Sequence, residues 1–407
     1  MTISKKNINI ISKDCTGCSV CSTICPKECI DYRYDTKIGC FHAHADNDKC
    51  IDCNKCIKVC PVNNNEIAKA TPPFIGEYQK VYATFSKNST LRKACASGGF
   101  ITSFLCYMLE KGYADAALVS KREGTTGHSF LATTKEEIIE AKTSIYAPVD
   151  YSVGIKELIE TQCGKIIVVG LPCHIQAITN LRKLNKNIDS KVFMTISIVC
   201  GKTPTTNAYR YIANKNGIDY DSIISVKNRG EGWPGYMTIK HEKGEYKISY
   251  KSNMSMGMVL SSPFMCNPGC LSCVDGVGIT ADMSVCDAWN EKYTKQESDG
   301  WNFVLAKTEL ALQYLTNPEI AQYIHLEDET IEHFYSANKR VIEKSKVGNK
   351  LRQKENEITP DTYKLNLKES VYVTIMKFIR KHGIIKDSAN ISHYLLVFGK
   401  ILNKLKN

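Results

Sequence analysis

Apolar residues in the middle of the chain follow two periodicities, which predict alternating helices and strands. After a Ser-Gly-Gly turn, a run that ends at Gly112 has apolar residues at helical spacing, namely Phe100, Phe104, Tyr107 and Met108. Uninterrupted apolar runs at 165–170 (KIIVVG) and 191–199 (KVFMTISIV) predict buried strands, and a helix is predicted between them at 174–184. The pattern therefore indicates an α/β body.

Two further elements extend this alternation. A strand is predicted over 114–120, and Thr134 with Glu137 forms a capping box that opens another helix. Strands that alternate with helices predict a mostly parallel sheet with helices on its faces. Ligands bind beyond the carboxyl ends of such strands. The positions of interest are then Gly170–Cys173, Cys200–Pro204 and the glycines 98 and 99.

Regions of different composition follow one another along the chain. The segment 68–76 (AKATPPFIG) is typical of a linker, because consecutive prolines interrupt both helix and sheet. The predicted domains are a cysteine-dense region at 1–70, an α/β body at 77–325 with parts 77–155 and 156–325, and a basic helical tail at 331–407.

Cysteine content changes this picture most, since 19 of the 407 residues are cysteines. The N-terminus lacks the apolar segment of a signal peptide, and no run approaches the length of a membrane-spanning helix, so a cytoplasmic location is expected. Because the cytosol keeps thiols reduced, clustered cysteines there predict metal binding rather than disulfides. The oxygen sensitivity of exposed clusters suggests anaerobic physiology.

Charge is concentrated in the tail. Of the net charge of +11, most comes from Ile331 to Asn407, where 16 Lys and Arg accompany 7 Asp and Glu. The nearly neutral remainder argues against nucleic-acid binding. An amphipathic tail helix is also predicted, with Val371, Ile375, Phe378 and Ile379 on one face beside Lys377, Arg380 and Lys381. Packing on its own domain is favoured, and contact with anionic lipid or with a partner is left open.

Eight N-terminal cysteines form two copies of C-x2-C-x2-C-x3-C-P, the spacing of two-cluster bacterial ferredoxins. Three closely spaced cysteines bind one [4Fe–4S] cluster, and the fourth, next to proline, reaches the other. One predicted ligand set is Cys15, Cys18, Cys21 and Cys60, and the second is Cys50, Cys53, Cys56 and Cys25. Zinc is the alternative, but it usually takes ligands in pairs. Cys29 and Cys40 fit neither set and are expected to be buried thiols.

A third constellation, C-x3-C-x2-C, is formed by Cys266, Cys270 and Cys273. A fourth thiolate, from Cys200 at a strand end or from Cys286, would complete a third [4Fe–4S] cluster that relays electrons. Radical-SAM enzymes share the spacing and leave one iron open, which is an alternative. A metal-free loop is another, although thiols this dense would oxidise unless ligated.

Further motifs are spread over residues 10–310. They are Arg92 with S-G-G-F-I-T at 97–102, S-I-Y at 144–146, G-L-P-C-H at 170–174, C-G-K-T-P-T at 200–205, R-G-E-G-W at 229–233 and A-D-M-S-V-C-D-A-W at 281–289. With the late cysteines, they resemble the coenzyme F420 hydrogenase/dehydrogenase β-subunit family. That family includes F420H2-oxidising subunits and the plant 7-hydroxymethyl chlorophyll a reductase. The basic tail is more like that of bacterial relatives linked to cell-surface polysaccharide synthesis.

The resemblance implies an FAD-binding body with a cluster beside the flavin. The fold class expected is an α+β ferredoxin-like N-terminal domain, an α/β flavin-binding body and a helical C-terminal tail. The implied cofactor-binding residues are Arg92, Ser97, Gly98, Gly99, Thr102, Ser144, Gly170, Pro172, Lys202 and Arg229. Gly98 and Gly99 would leave the N–H groups of the following helix free for a pyrophosphate. A tight turn and solvated surface charge are the alternatives for the glycines and the cations.

Candidate catalytic residues follow from the same motifs. Cys173 is expected against the flavin or as a buried small residue, while His174 and Tyr146 are candidate proton donors. For His174, a core histidine is the alternative.

The leading function is a flavin and iron–sulfur oxidoreductase that passes electrons between a hydride carrier, coenzyme F420 or similar, and ferredoxin-type clusters. The reverse flow, driving reduction of another substrate such as one in polysaccharide biosynthesis, is equally consistent. A non-catalytic electron-transfer subunit is the other alternative. The expected partner is a ferredoxin or a hydrogenase/dehydrogenase-type subunit, and homo-oligomerisation is left open.

Overall fold

The computed structural model describes residues 6–63, 74–250, 262–295, 299–355 and 367–382. Its strands are β1 (Ile30–Asp35), β2 (Cys40–Ala45), β3 (Lys80–Ser86), β4 (Ala116–Glu123), β5 (Thr126–Ala132), β6 (Val149–Asp150), β7 (Ile166–Gly170), β8 (Val192–Ile198), β9 (Ile223–Lys227), β10 (Tyr236–His241), β11 (Gly244–Ser249), β12 (Met283–Asp287), β13 (Asn302–Ala306) and β14 (Ile324–Glu329).

The α-helices in the described ranges pack mainly on the two faces of the large sheet. They are α1 (Val20–Thr23), α2 (Lys55–Val59), α3 (Ser89–Ala94), α4 (Phe100–Glu110), α5 (Lys135–Glu140), α6 (Ser152–Glu160), α7 (Pro172–Leu184), α8 (Lys186–Lys191), α9 (Thr206–Lys215), α10 (Glu291–Thr294), α11 (Glu309–Leu315), α12 (Ile331–Glu355) and α13 (Leu367–His382).

The predicted central elements are confirmed to within a few residues. The run from Phe100 forms α4, which begins after Gly99 at a φ of 78°, a left-handed conformation that glycine adopts without strain. Thr134 and Glu137 form the predicted capping box at the start of α5. The apolar runs form β7 and β8, which are parallel neighbours.

The large sheet is mixed, so the prediction of a mostly parallel sheet is wrong. Its nine strands have the order β14-β3-β13-β12-β8-β7-β4-β5-β6. The β12-β8-β7-β4 segment is parallel, but β14, β3, β13 and β12 pair antiparallel, and so do the hairpin strands β4 and β5. The pairing of β3 with β13 and β14 joins distant parts of the chain, and no local pattern could reveal it.

The two faces of the sheet have separate cores. Leu118 and Val168 contribute to one core and their neighbours Val119 and Val169 to the other, which follows the two-residue period of a strand. The first core also contains apolar residues of the N-terminal region, including Val59 at the end of α2. The cysteine-dense region is therefore packed directly on the body through a shared core.

The predicted linker and tail are also in contact with the body. Residues 68–73 lie outside the described residues, but Phe74 and Ile75 are buried. Helix α12 follows β14 and is anchored by Phe334, which is completely buried, while Val373 of α13 packs with Leu351 of α12. The start of the tail is thus part of the globular structure, because its apolar face covers the sheet and the late cysteine loop.

The predicted amphipathic face of the tail is described only in part. Val371 and Ile375 are half-buried, whereas the side chains of Phe378, Ile379, Arg380 and Lys381 lie outside the described residues. No helix in the described ranges is long and apolar enough to cross a bilayer.

Candidate functional site

A cavity of about 440 Å³ lies at the carboxyl ends of the parallel strands. Its walls include the ends of β7, β8 and β12 and the middle of β4. The chain diverges into loops there, which opens the crevice typical of α/β sheets. The size is in the range of small-molecule and cofactor pockets.

One wall is the start of α4. Ser97, Gly99 and Thr102 line the cavity, and Ser97 Oγ donates a hydrogen bond to the Trp301 carbonyl at 2.7 Å. Gly98 is not among the lining residues. Instead it packs against Asn302, whose Oδ1 would lie 2.8 Å from an added Cβ. That oxygen accepts the Phe100 N–H, so one of the helix-start donors is already used.

A second wall is the turn between β7 and α7. Gly170 and His174 line the cavity, and the His174 ring stacks on Tyr151 with centroids 4.1 Å apart. Burial lowers the pKa of His174 to about 4. Its Nδ1 accepts the Leu171 N–H at 3.4 Å, so the ring is neutral with its proton on Nε2.

Two other residues of that turn face elsewhere. Neither Pro172 nor Cys173 is among the lining residues. Burial raises the pKa of the Cys173 thiol, and the thiols of Cys18 and Cys200 add to the shift. Cys173 therefore lies between the N-terminal region and the late cysteines rather than on the cavity wall.

Ser144, Tyr146 and Lys202 line the cavity. The Tyr146 hydroxyl accepts a hydrogen bond from Arg229 Nη1 at 3.3 Å, and its backbone N–H donates to Asn228 at 3.2 Å. Tyr146 is thus held at both its ring end and its backbone, which suits a side chain that must keep one orientation.

The two predicted arginine anchors are buried inside the protein and are not among the lining residues, so they are not solvated surface charges either. Arg92 donates two hydrogen bonds to the Gly300 carbonyl, at 3.0 and 2.6 Å, with its guanidinium 3.7 Å from the Phe85 ring centroid. Arg229 forms an ion pair at 3.0 Å with Asp287, which does line the cavity.

Four cysteines lie near one another beside the cavity, and we name Cys200, Cys266, Cys270 and Cys273 the third cysteine set. Backbone pairing brings them together: Cys200 N–H donates to Gly276 O at 2.8 Å, and Pro204 forms an isolated bridge with Cys266. Thr203 N–H also approaches Cys270 Sγ at 3.4 Å. Burial raises the pKa of Cys200 to about 12, and the nearby Cys270 and Cys273 thiols contribute.

Cys286, the other candidate fourth ligand, is in a different environment. It lies in β12 opposite Phe303, and its Sγ accepts a hydrogen bond from Asn338 Nδ2 at 3.1 Å. Burial raises its pKa to about 12, with Asn338 and Asp287 as the main polar neighbours. The structure therefore brings Cys200, and not Cys286, to the three loop cysteines.

The N-terminal cysteines form two groups. Burial raises the pKa of Cys21, and the thiols of Cys18, Cys15 and Cys60 are close enough to add to the shift. Around a separate small cavity lie Cys25, Cys50, Cys53 and Cys56. Within the described ranges, no three Cys, His, Asp or Glu side chains converge at the spacing needed for a single metal ion.

Two remaining thiols are closer to these groups than the spacing predicts. Cys29 Sγ is 3.4 Å from Cys25 Sγ and lines the same small cavity. Cys40 is buried, its Sγ is 3.2 Å from His42 Nε2, and the thiols of Cys15 and Cys270 both raise its pKa after burial. Cys40 thus lies between the first N-terminal group and the third cysteine set.

Known proteins share both the cysteine-dense region and the body. The profile for the coenzyme F420 hydrogenase/dehydrogenase β subunit matches in two parts, the N-terminal part at residues 81–156 and the C-terminal part at 163–332. A 4Fe–4S dicluster domain matches residues 14–64. The chain belongs to the coenzyme F420 hydrogenase/dehydrogenase β-subunit family. The resemblance found in the motifs is confirmed, and the protein is an iron–sulfur electron-transfer component of the oxidoreductase type.

Similarity to individual family members is distant but extensive. A component of the F420H2 dehydrogenase of Methanosarcina mazei is 24% identical over 76% of this chain and 84% of its own length. The β subunit of the coenzyme F420 hydrogenase of Methanosarcina barkeri is 23% identical over 58% of this chain and 78% of its own. A solved chain of the F420-reducing [NiFe] hydrogenase complex from M. barkeri shares the fold, with a TM-score of 0.54, 19% identity and coverage of 71% and 96%.

Several residues at the site of this family member carry no sequence signal. Asn302 joins α4 to β12, donating from Nδ2 to the Cys286 carbonyl at 3.2 Å. Asn338 and Lys344 come from α12, beyond residue 332, where the family match ends. Asp287 could have been found from its place in the late motif. The others required knowledge of the strand order and of helix packing.

Proposed function

We propose that this chain is a flavin- and iron–sulfur-dependent oxidoreductase subunit. It would exchange electrons between a hydride carrier of the F420 type and ferredoxin-like clusters. The supporting observation is that the N-terminal region and the body share one cavity. Gly17, Cys40 and Phe41 line it from the N-terminal region. Gly99 and His174 line it from the body, and Cys200 lies in its wall. A two-electron site and one-electron carriers would therefore be neighbours.

The residues fit an FAD in this cavity. The wall at the start of α4 offers backbone N–H groups and the positive end of an eleven-residue helix, and Lys202 adds a cation, which together suit a pyrophosphate. The rest of the wall is mainly apolar, which suits a planar ring system. A bound flavin would supply the conversion between a hydride and single electrons.

The chain's own residues would orient the reactants and hold protons. Tyr146 is fixed by Arg229 and Asn228, and its hydroxyl can hold a proton at the cavity wall. Neutral His174 presents an Nε2–H donor, and its low pKa argues against an imidazolium as the proton source at neutral pH. Cys173 would lie in the protein interior between the clusters and would not contact the flavin.

The cysteine groups fit three four-iron clusters. Cys15, Cys18, Cys21 and Cys60 would hold one cluster, and Cys25, Cys50, Cys53 and Cys56 a second. The third cysteine set would hold a third cluster, which would lie between the cavity and the cluster of Cys15, Cys18, Cys21 and Cys60. The relatives' names support a redox partner subunit of the hydrogenase/dehydrogenase type, and a ferredoxin is the other partner that we propose.

The test begins with anaerobically purified protein, in which released flavin and iron per chain are measured. We expect FAD and the iron of three clusters. Reduced F420 should then bleach the flavin absorbance. Absence of flavin would refute the flavin assignment and leave an electron-transfer subunit. Flavin without bleaching would redirect the search to ferredoxin-driven reduction of another substrate.

Matched cysteine variants test the third cluster. Cys200→Ser should lower the iron content to that of two clusters, whereas Cys286→Ser, in the same cavity wall but outside the third cysteine set, should keep all three. The reverse result would make Cys286 the ligand. Loss of iron in neither variant would refute the third cluster.

A further inference from the structure

Helix α12 is built into the third cysteine set, although it belongs to the region that the sequence marks as a tail. Gly348 of this helix faces the cysteine loop so closely that an added Cβ would lie 2.0 Å from the Cys273 carbonyl oxygen. On the loop side, Gly276 allows a matching approach, since an added Cβ there would meet Val341 of α12 at 2.3 Å. Two glycines thus let the helix and the loop approach each other closely.

The same helix face carries Lys344 to the thiols. Lys344 Nζ donates a hydrogen bond to the carbonyl of Gly201, the residue after Cys200. Burial by itself lowers the pKa of Lys344, but the thiols of Cys273, Cys270, Cys200 and Cys266 together raise it above its ordinary value. Lys344 Nζ is thus hydrogen-bonded one residue away from Cys200, on the helix that meets the Cys273 backbone at Gly348, and all four thiols of the third cysteine set interact electrostatically with it.

Other charged groups that the structure describes near the third cysteine set interact with fewer of its thiols or already pair with other groups. Lys202 acts on the Cys266 and Cys270 thiols and also lines the cavity. Asp14 accepts a hydrogen bond from Ser272 Oγ. Asp275 accepts three backbone N–H bonds, from residues 277 to 279, and interacts with buried Lys307. Among the cations in the part of the chain that the structure describes, Lys344 is the one whose interactions extend to all four thiols.

We propose that Lys344 offsets the negative charge of the third cysteine set and raises the reduction potential of the cluster held there. The inference rests on the proposed third cluster. That cluster gains one negative charge when it takes up one electron, with no bond made or broken, and a fixed cation nearby stabilises the reduced form more than the oxidised one. Lys344 thus acts through its charge, and it makes this cluster a better acceptor of electrons that come from the cavity.

The test compares Lys344→Met with Lys344→Arg in the anaerobically purified full chain. Lys339→Met is the matched control, because Lys339 is on the same helix but its side chain is 64% exposed. The readout is an EPR-monitored redox titration, with the third signal identified by its loss in Cys273→Ser. We expect Lys344→Met to lower the equilibrium constant for one-electron reduction of that signal about tenfold, which is about 59 mV. Lys344→Arg and Lys339→Met should match the wild type.

The other outcomes of the redox titration separate the effect of the Lys344 charge from that of packing. An unchanged potential in Lys344→Met overturns the proposal. Loss of the third signal in Lys344→Met but not in Lys344→Arg supports it, because the charge is then needed for assembly. Loss in both overturns it, since packing rather than charge would be responsible. A wild-type protein without the third signal refutes the third cluster itself, before Lys344 is changed.

Discussion

Gly348 should be irreplaceable even by alanine, although alanine is the better helix former. A methyl group there would lie 2.0 Å from Cys273 O and 2.7 Å from Cys273 C, and both atoms are backbone. To reach ordinary contact at 3.4 Å, the helix and the loop would have to separate by roughly 1.4 Å (3.4 less 2.0). Overpacking of this kind costs about 1–3 kcal/mol.

The opposing term is helix propensity, by which Gly→Ala in a helix interior gains about 1 kcal/mol. We therefore expect Gly348→Ala to lower the free energy of unfolding by up to about 2 kcal/mol. Because Lys344 lies one turn earlier on the same face, the displacement should also draw its ammonium group away from Gly201. Iron bound at the third cysteine set should fall as well.

The assay compares urea midpoints and iron per chain for anaerobically purified variants. Gly201→Ala is the matched control, because it changes a glycine beside the same thiols, where the nearest atom to an added Cβ is Val341 Cγ2 at 3.8 Å. We expect the control to resemble the wild type. If Gly348→Ala matched the wild type in both midpoint and iron content, the close approach of α12 to the loop would be refuted.

Three further predictions concern residues in the cavity wall or directly behind it. The pKa of His174 is about 4 in the folded state against 6.5 for a free imidazole. The unfolded state therefore binds the extra proton as pH falls through 6.5, and urea titrations should show a stability loss of about 2 kcal/mol from pH 7 to pH 5. His174→Gln should lack that part of the slope, and equal slopes in both proteins would contradict the assignment. Arg229→Met leaves Asp287 unpaired and should cost about 3 kcal/mol or more in the free energy of unfolding, whereas adding Asp287→Asn should restore part of it. No recovery in the double variant would argue against the ion pair as the cause. Gly98→Ala would place a methyl group 2.8 Å from Asn302 Oδ1 and displace that side chain from the start of α4. Flavin bound per chain should then fall, and a full complement of flavin would count against that wall as its site.

Predictions that depend on local spacing agree best with the structure. The run from Phe100, the capping box at Thr134 and the apolar runs of β7 and β8 each depend on contacts within a few residues, and all formed the expected elements. The prediction of a mostly parallel sheet is wrong because β3 pairs antiparallel with β13 and β14, which are far from it along the chain. Hydrophobic periodicity describes the faces of an element but not its neighbours.

The candidate site shows the same division. Motif spacing identified Gly99, His174 and Cys200 as residues near a ligand, and the structure gathers them around one cavity. Arg92 and Arg229 carried the same signal, yet their guanidinium groups are buried against carbonyl oxygens and Asp287. A positive charge in a motif does not reveal whether its partner is a ligand or another part of the chain.

The sequence by itself determined the family, the helical and strand segments of the central body and the grouping of cysteines into short clusters. These follow from residue type and spacing along the chain. Only the tertiary structure decided that Cys200 rather than Cys286 joins the loop cysteines, and that α12 brings Lys344 to them. The physical reason is that these contacts depend on strand order and on backbones close enough to exclude a Cβ at Gly348, which are properties of packing between distant segments.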